Sequence, residues 1–173
     1  MEVVTDSAIL AVKAIFSAYS GYSKGRFVDT DRAIREEVRR RGVMLSNHLD
    51  NIHDTAHESR HRNARRESEK VNEICQKIQN DAQYGSSRTP HSGHEGIGKM
   101  NKKSIKELVK HDLSTLEKLV KCTKKVNEIF DSQSKNPEET EVILGLRELT
   151  QMCTGARNHF LERNMIIDGL TKR

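Results

Sequence analysis

Apolar residues recur every three or four positions over long stretches of this sequence, and its only prolines are Pro90 and Pro137. This spacing places apolar side chains on one side of an α-helix, whereas a half-buried strand needs alternating apolar and polar residues. No alternating segment stands out in the sequence. The pattern therefore predicts an all-α protein. We expect an elongated antiparallel bundle of one short N-terminal helix and three long helices, with coiled-coil-like packing.

The composition favours narrow apolar stripes over a large globular centre. Apolar residues make up 34% of the 173 residues, aromatic residues make up 4%, and tryptophan is absent. Charged residues make up 32%, above the share of about a quarter that is usual in soluble domains. We therefore expect a single helical domain over residues 1–173 whose helices bury stripes against one another.

Local start and stop signals divide the chain into four predicted helices. Asn136 is a good N-cap, Pro137 suits the first helical position, and Ser104 with Glu107 fits a capping box. Residues 85–99 are rich in Gly and Ser and have no periodicity, so we expect a flexible loop there. The predicted helices span residues of about 7–19, 30–83, 101–133 and 137–171.

The second predicted helix is unusually long and has a polar middle. Its apolar seam runs over residues 34–56 and returns over residues 71–82, while residues 57–70 offer little more than Ala64 to a core. We expect the surplus length to project from the bundle or to pair with another protomer. The first helix is apolar on nearly all sides over residues 8–16 and needs burial on several sides. Both features predict self-association, most simply as a homodimer.

Neither export nor membrane insertion is indicated by the sequence. The strongest apolar run, residues 8–16, is too short to span a bilayer and has no positively charged segment before it. The cysteines form no CxxC pair, which argues against a disulfide framework and a zinc ribbon. They are Cys75, Cys122 and Cys153. We therefore expect a cytoplasmic protein without a transmembrane segment, whose thiols act as small apolar side chains.

The most concentrated charge lies between Lys99 and Lys125, where nine lysines are opposed by three acidic residues. This local excess is larger than the net charge of +5 for the whole chain. Two arginine clusters lie at residues 39–41 and 60–66. Basic faces bind phosphate backbones or acidic protein surfaces, although many are simply solvated. The candidate binding residues are Lys102, Lys103, Lys106, Lys110, Lys118, Lys121, Lys125, Arg60, Arg62, Arg65 and Arg66.

A weaker candidate is a histidine ladder at His53, His57 and His61, spaced four residues apart along the long second helix. Two histidines at this spacing can bind one transition metal ion from one helix. A complete site needs ligands from a second helix, and His111 with Asp112 or His159 could supply them. The alternative is a solvated helical face whose neighbouring arginines oppose a cation.

Two short matches to catalytic or nucleotide-binding patterns are judged to be chance. Residues 93–100 match the phosphate-binding loop, except that Met100 replaces the hydroxyl that holds Mg²⁺ and no strand precedes them. Arg41 and His48 have the spacing of a helical ribonuclease pair, but Arg and His are common in this chain. We therefore predict a protein that is not an enzyme and needs no cofactor.

These observations favour a non-enzymatic helical interaction or scaffold protein that associates with itself or with another protein. Two alternatives stay open. The first is an accessory nucleic-acid-binding subunit that contacts a duplex backbone through the lysine-rich helix face. The second is a metal-binding helical module that uses the His53, His57 and His61 face.

Overall fold

The structure, a computed structural model, describes residues 20–21, 24, 27–85, 102–133, 135 and 137–170. They form four long helices: α1 (Phe27–Glu58), α2 (Arg62–Tyr84), α3 (Lys102–Gln133) and α4 (Glu139–Leu170). No strand occurs in these ranges, and the predicted all-α bundle is confirmed. The predicted helix over residues 7–19 and nearly all of the predicted loop over residues 85–99 lie outside the described residues.

The prediction of one helix over residues 30–83 is corrected, because the structure divides this stretch into α1 and α2. Arg60 adopts a left-handed conformation with φ of 60°. The backbone N–H of His61 donates to the carbonyl of Ala56 at 2.8 Å, and that of Arg60 donates to the carbonyl of His57 at 3.1 Å. These two bonds are the pattern that closes many helix C-termini. The chain therefore turns at residues 59–61, within the polar middle of the predicted helix, and no surplus length is left to project.

The backbone of each helix lies close to the backbones of two neighbours. α1 packs against α2 and α3, and α4 packs against the same two helices, so α1 and α4 occupy diagonal corners of the bundle. Side-chain contacts show that α1 and α2 run in opposite directions, since Ser46 bonds Gln79 and Asp50 bonds Asn72. The contacts between α2 and α4 instead advance along both helices in the same direction, which places these two helices in parallel. They include Glu67 with Arg147 and Asp81 with Arg157.

The core consists of two apolar clusters separated by charged side chains. The larger cluster fills most of the bundle with side chains from all four helices, including Leu45, Leu49, Ile78, Leu116, Leu119, Leu146 and Leu149. The smaller cluster comprises Ile34, Ile105, Leu108 and Ile167. It lies at the end of the bundle where α1 and α3 begin and α2 and α4 end. We call this the polar end, because the buried Asp31, Asp112 and Arg163 also lie there.

α1 and α2 approach each other closely at Gly42, which is buried. A Cβ atom added to Gly42 would lie 2.8 Å from Cγ of Gln79. The amide of Gln79 is itself held by Ser46 at 2.9 Å, so this side chain has little freedom to move away. Gly42 is therefore a packing position between two helices.

The N-terminus of α2 is capped by a side chain from α4. Oε1 of Glu139 accepts hydrogen bonds from the backbone N–H groups of Asn63 at 2.6 Å and Ala64 at 3.1 Å. His61 occupies the N-cap position and makes no side-chain capping bond. The first N–H groups of a helix have no partner within it, so Glu139 supplies an acceptor that the local sequence lacks.

In the part of the chain that the structure describes, no helix combines the length and apolar character needed to cross a bilayer.

Candidate functional site

Seven lysines of α3 are exposed on the side of the helix that points away from the core. They are Lys102, Lys103, Lys106, Lys110, Lys118, Lys121 and Lys124. Because each residue advances a helix by 100°, they fall within an arc of about 160°. The buried residues Leu108, Leu116 and Leu119 lie on the opposite side of α3. We call these seven residues the lysine face.

The predicted binding residue Lys125 does not belong to the lysine face. It is half-buried and forms an ion pair with Glu148 of α4. Its charge is neutralised within the bundle, so the structure assigns it to the contact between α3 and α4.

Cations on the other helices are mostly paired with nearby carboxylates. Pairs within α1 join Arg39 to Glu36 and Arg40 to Glu37, and pairs between helices join Arg147 to Glu67 and Arg157 to Asp81. The lysine face differs. Among the described residues, no ion pair involves Lys102, Lys106, Lys110, Lys118, Lys121 or Lys124. The exposed acidic residues within its length are Glu107 and Glu117, so the face keeps a strong positive charge.

The predicted arginines lie around the turn between α1 and α2, away from the lysine face. Arg60, Arg62 and Arg66 are exposed, and Arg65 pairs with Glu69 at 3.8 Å. α2 and α3 are diagonally opposite, and no Cα atoms lie within 8 Å of each other in the described parts of the two helices. The structure therefore does not join the arginine cluster and the lysines into one continuous surface.

The predicted histidine ladder is interrupted. His61 lies in the turn after α1, so it does not extend the helical face of His53 and His57. His53 has carboxylates on either side, Asp54 at 3.4 Å and Glu69 at 3.3 Å. His57 is exposed. Within the described residues, no cluster with metal-ligand geometry includes any of the three histidines.

A different pair of histidines meets near the polar end. His111 of α3 stacks on His159 of α4, with ring centroids 4.0 Å apart and ring planes inclined by 23°. Nδ1 of His159 lies 3.4 Å from Oε2 of Glu162, one turn further along α4. Ligand atoms of His111, His159 and Glu162 all lie within 4.8 Å of one another. We call these three residues the histidine cluster.

Three ring nitrogens of the histidine cluster are buried without a hydrogen-bond partner. They are Nδ1 and Nε2 of His111 and Nε2 of His159. Desolvation lowers the pKa of His111 to about 4, and the neighbouring His159 and Arg163 act in the same direction. His111 is therefore neutral near pH 7, the state in which an imidazole nitrogen can bind a metal ion.

A buried charge network lies directly beside the histidine cluster. Arg163 is 1% exposed and donates from Nε to Oδ1 of Asp112 at 2.7 Å. Its Nη1 donates to the carboxylate of Asp31 on α1. Nε of Arg35 donates to the other oxygen of Asp31 at 2.9 Å. The network thus joins α1, α3 and α4 at the polar end, and its two guanidinium groups are matched by two carboxylates.

The three cysteines are buried and unoxidised in the core. A hydrogen bond with Cys153 and burial raise the pKa of the Cys122 thiol, so this group stays protonated. A protonated, buried thiol is a poor nucleophile and a poor metal ligand. The thiols therefore act as small core side chains.

The described residues give no support to a catalytic or nucleotide-binding role for the two short pattern matches. Arg41 is 1% exposed, and its guanidinium bonds Glu37 of the same helix at 2.9 Å, so it does not face a substrate. Residues 93–100 lie outside the described residues.

No family model, curated protein or solved structure matches the chain.

Proposed function

We propose that the protein binds the phosphate backbone of a nucleic acid duplex through the lysine face of α3. The observation that carries this proposal is the contrast in charge pairing. Most arginines elsewhere in the bundle lie against carboxylates, whereas six of the seven lysines in this face have no acidic partner among the described residues. A face that served only as a solvated surface would gain some stability from internal pairs of this kind.

The dimensions of the lysine face suit a duplex. Lys102 and Lys124 are 22 residues apart in one helix, which corresponds to about 33 Å at 1.5 Å per residue. One turn of duplex DNA covers a similar length, about 34 Å. Lysines spread along a straight helix of this length can therefore contact the phosphate backbone at the points where its strands cross the helix within one turn of the duplex.

The chemistry of the face favours backbone contacts over base recognition. Residues 102–125 contain no Phe, Tyr or Trp that could stack on an unpaired base. A lysine ammonium is a flexible point charge that neutralises a phosphate without reading sequence. Binding is therefore expected to be independent of sequence and strongly dependent on salt.

The test measures binding to a labelled duplex of about 20 base pairs, two helical turns, by fluorescence anisotropy. The salt concentration is varied between about 50 and 200 mM. The double variant Lys106→Glu with Lys110→Glu removes two adjacent positive charges from the lysine face. The slope of log K against log salt is negative, and each lost phosphate contact reduces its magnitude by about 0.9. This variant should therefore have a slope smaller in magnitude by about 1.8 and bind more weakly at every salt concentration.

The matched control is Lys70→Glu with Lys77→Glu on α2, the helix diagonally opposite α3. It changes the net charge by the same amount and should retain most of the binding. Equal losses in both double variants would show that only the net charge matters and would contradict the proposal. So would the absence of duplex binding at about 50 mM salt, including the case in which an acidic polypeptide binds instead.

Self-association is a second candidate function, supported by apolar side chains exposed on the outer side of α4. Met165 is 68% exposed and Leu144 is 60% exposed, and Tyr84 at the end of α2 is 75% exposed. The earlier reason for self-association, a projecting second helix, is removed by the turn between α1 and α2. Analytical ultracentrifugation tests the candidate. A dimer that dissociates in Leu144→Asp or Met165→Asp supports it, and a monomer at high concentration refutes it.

A further inference from the structure

We propose that the histidine cluster of His111, His159 and Glu162 binds one divalent transition metal ion of the zinc class. The site joins α3 to α4, and none of its three ligands belongs to the lysine face. It supplies two imidazole nitrogens and one carboxylate oxygen, the three-ligand set of many zinc sites that keep one position for water.

The first argument is convergence. His111 and Glu162 are 51 residues apart in the chain, yet their ligand atoms and that of His159 lie within 4.8 Å of one another. Zinc–ligand distances of about 2.1 Å in a tetrahedron separate the ligands by about 3.4 Å. The three side chains therefore need to close by at most about 1.4 Å. The stacked rings, whose planes are inclined by 23°, also need to turn so that their in-plane lone pairs point at one ion. Rotations about side-chain bonds supply both movements.

The second argument is the unsatisfied hydrogen-bonding capacity of the two rings. Both nitrogens of His111 and Nε2 of His159 are buried without a partner. Buried polar atoms nearly always have a partner, and an orphaned group often marks a site where an ion or a water is bound. A single metal ion between the rings and Glu162 would satisfy one nitrogen of each histidine.

The third argument is charge. A cation is opposed by nearby positive groups, and Arg163 follows Glu162 directly in the sequence. The guanidinium of Arg163 is however bonded to Asp31 and Asp112. With Arg35 on the other side of Asp31, the network contains two positive and two negative groups. It leaves Glu162 as an uncompensated negative charge beside the two rings.

The fourth argument is access. Buried ligands alone would leave no route for an ion, but the side chain of Glu162 is 55% exposed and that of His159 is 21% exposed. The ion can therefore enter from solvent on the Glu162 side, and its remaining coordination position faces water.

The test titrates the full-length protein with Zn²⁺ by isothermal calorimetry, and with Co²⁺ by visible absorption. We expect one Zn²⁺ per chain and an intense Co²⁺ spectrum of low coordination number. Mg²⁺ should not bind, because it requires oxygen ligands. Loss of an outer-sphere partner alone typically weakens metal binding by about 10–100-fold. His159→Gln and His111→Gln each remove a ligand and should weaken binding by at least that factor.

The matched control is His57→Gln, which removes an exposed histidine from the ladder on α1 and should bind Zn²⁺ like the unmodified protein. Glu162→Gln changes an exposed side chain and decides the question if either histidine variant fails to fold. It replaces a charged ligand and should weaken Zn²⁺ binding by at least about 10–100-fold, the loss typical of an outer-sphere partner. Three results would overturn the proposal: no saturable Zn²⁺ binding, unchanged binding in Glu162→Gln and His159→Gln, or a loss confined to His57→Gln.

Discussion

Nε of Arg163 on α4 donates to Oδ1 of Asp112 on α3 at 2.7 Å, with both side chains at most 1% exposed. Removing two charges from water costs several kcal/mol per ion, and only close pairing with further hydrogen bonds compensates for it. Asp31 supplies the second acceptor. The polar end therefore depends on a pairing that is satisfied only when α1, α3 and α4 pack in one arrangement.

Replacing Arg163 with Met should destabilise the protein by about 3–5 kcal/mol, because it leaves buried carboxylates without their cation. Urea unfolding followed by circular dichroism measures the change. Arg147→Met is the control, since this arginine is exposed and lies 3.7 Å from Glu67; its effect should stay below about 1 kcal/mol. Equal effects of the two substitutions would show that the buried network does not stabilise the fold.

Replacing Glu139 with Ala should reduce the free energy of unfolding by about 0.5–2 kcal/mol, the range for loss of an N-terminal cap. The reason is that two N–H groups of α2, those of Asn63 and Ala64, lose their acceptor. Glu141→Ala removes an exposed carboxylate from the same first turn of α4 and serves as the control. If both variants lose the same stability in urea, the effect comes from the dipole of α4 and not from the cap on α2.

Two glycines within helices should respond in opposite directions to the same substitution. At Gly155, nothing lies within 4 Å of an added Cβ, so Gly155→Ala should stabilise the protein by about 0.5–1 kcal/mol through helix propensity. Gly42→Ala should instead lower stability by about 1 kcal/mol, because overpacking against Gln79 outweighs that gain. Thermal unfolding of both variants provides the comparison. A stabilising Gly42→Ala would mean that α1 and α2 can separate without loss.

The stability of the metal-free protein should fall between about pH 6.5 and pH 4, because the folded state holds His111 neutral. Its pKa of about 4 in the folded protein is below the ordinary 6.5, so in this range the unfolded chain binds a proton that the folded chain does not. The contribution of His111 to the free energy of unfolding is complete above about pH 6.5 and is lost as the pH falls towards about 4.

The measurement is urea unfolding in a chelator at several pH values, for the unmodified protein and for His111→Gln. The groups of either sign beside His111 are His159, Glu162, Arg163 and Asp112, and they are present in both proteins. The difference in unfolding free energy between the two proteins should therefore decrease as the pH falls. A difference that is constant from pH 7 to pH 4 would contradict the assignment of the neutral state to His111.

Much of the secondary structure follows from local patterns. The predicted helices over residues 101–133 and 137–171 nearly coincide with α3 (Lys102–Gln133) and α4 (Glu139–Leu170). Apolar spacing and terminal signals act within one or two turns, so a single sequence contains them. The exposed lysines of α3 follow from the same periodicity, because residues opposite an apolar stripe point outward.

The turn at residues 59–61 is harder to predict from the sequence. It has no Gly or Pro, and Arg60 adopts the left-handed conformation that Gly usually provides. The polar residues from 57 to 70 were a signal of it, because this stretch, about four turns of helix, offers only Ala64 as an apolar side chain to a core. A search of the sequence for Gly and Pro alone does not find this turn.

By itself, the sequence determined the all-α class, the limits of α3 and α4 and the outward placement of the lysines, since each depends on interactions between residues three or four positions apart. Only the tertiary structure decided which helices are neighbours, and hence which distant side chains meet. Asp31 and Arg163 are 132 residues apart, and the ligands of the histidine cluster come from two helices. These long-range contacts depend on how the buried faces of four helices fit together, and helical periodicity carries no information about that fit.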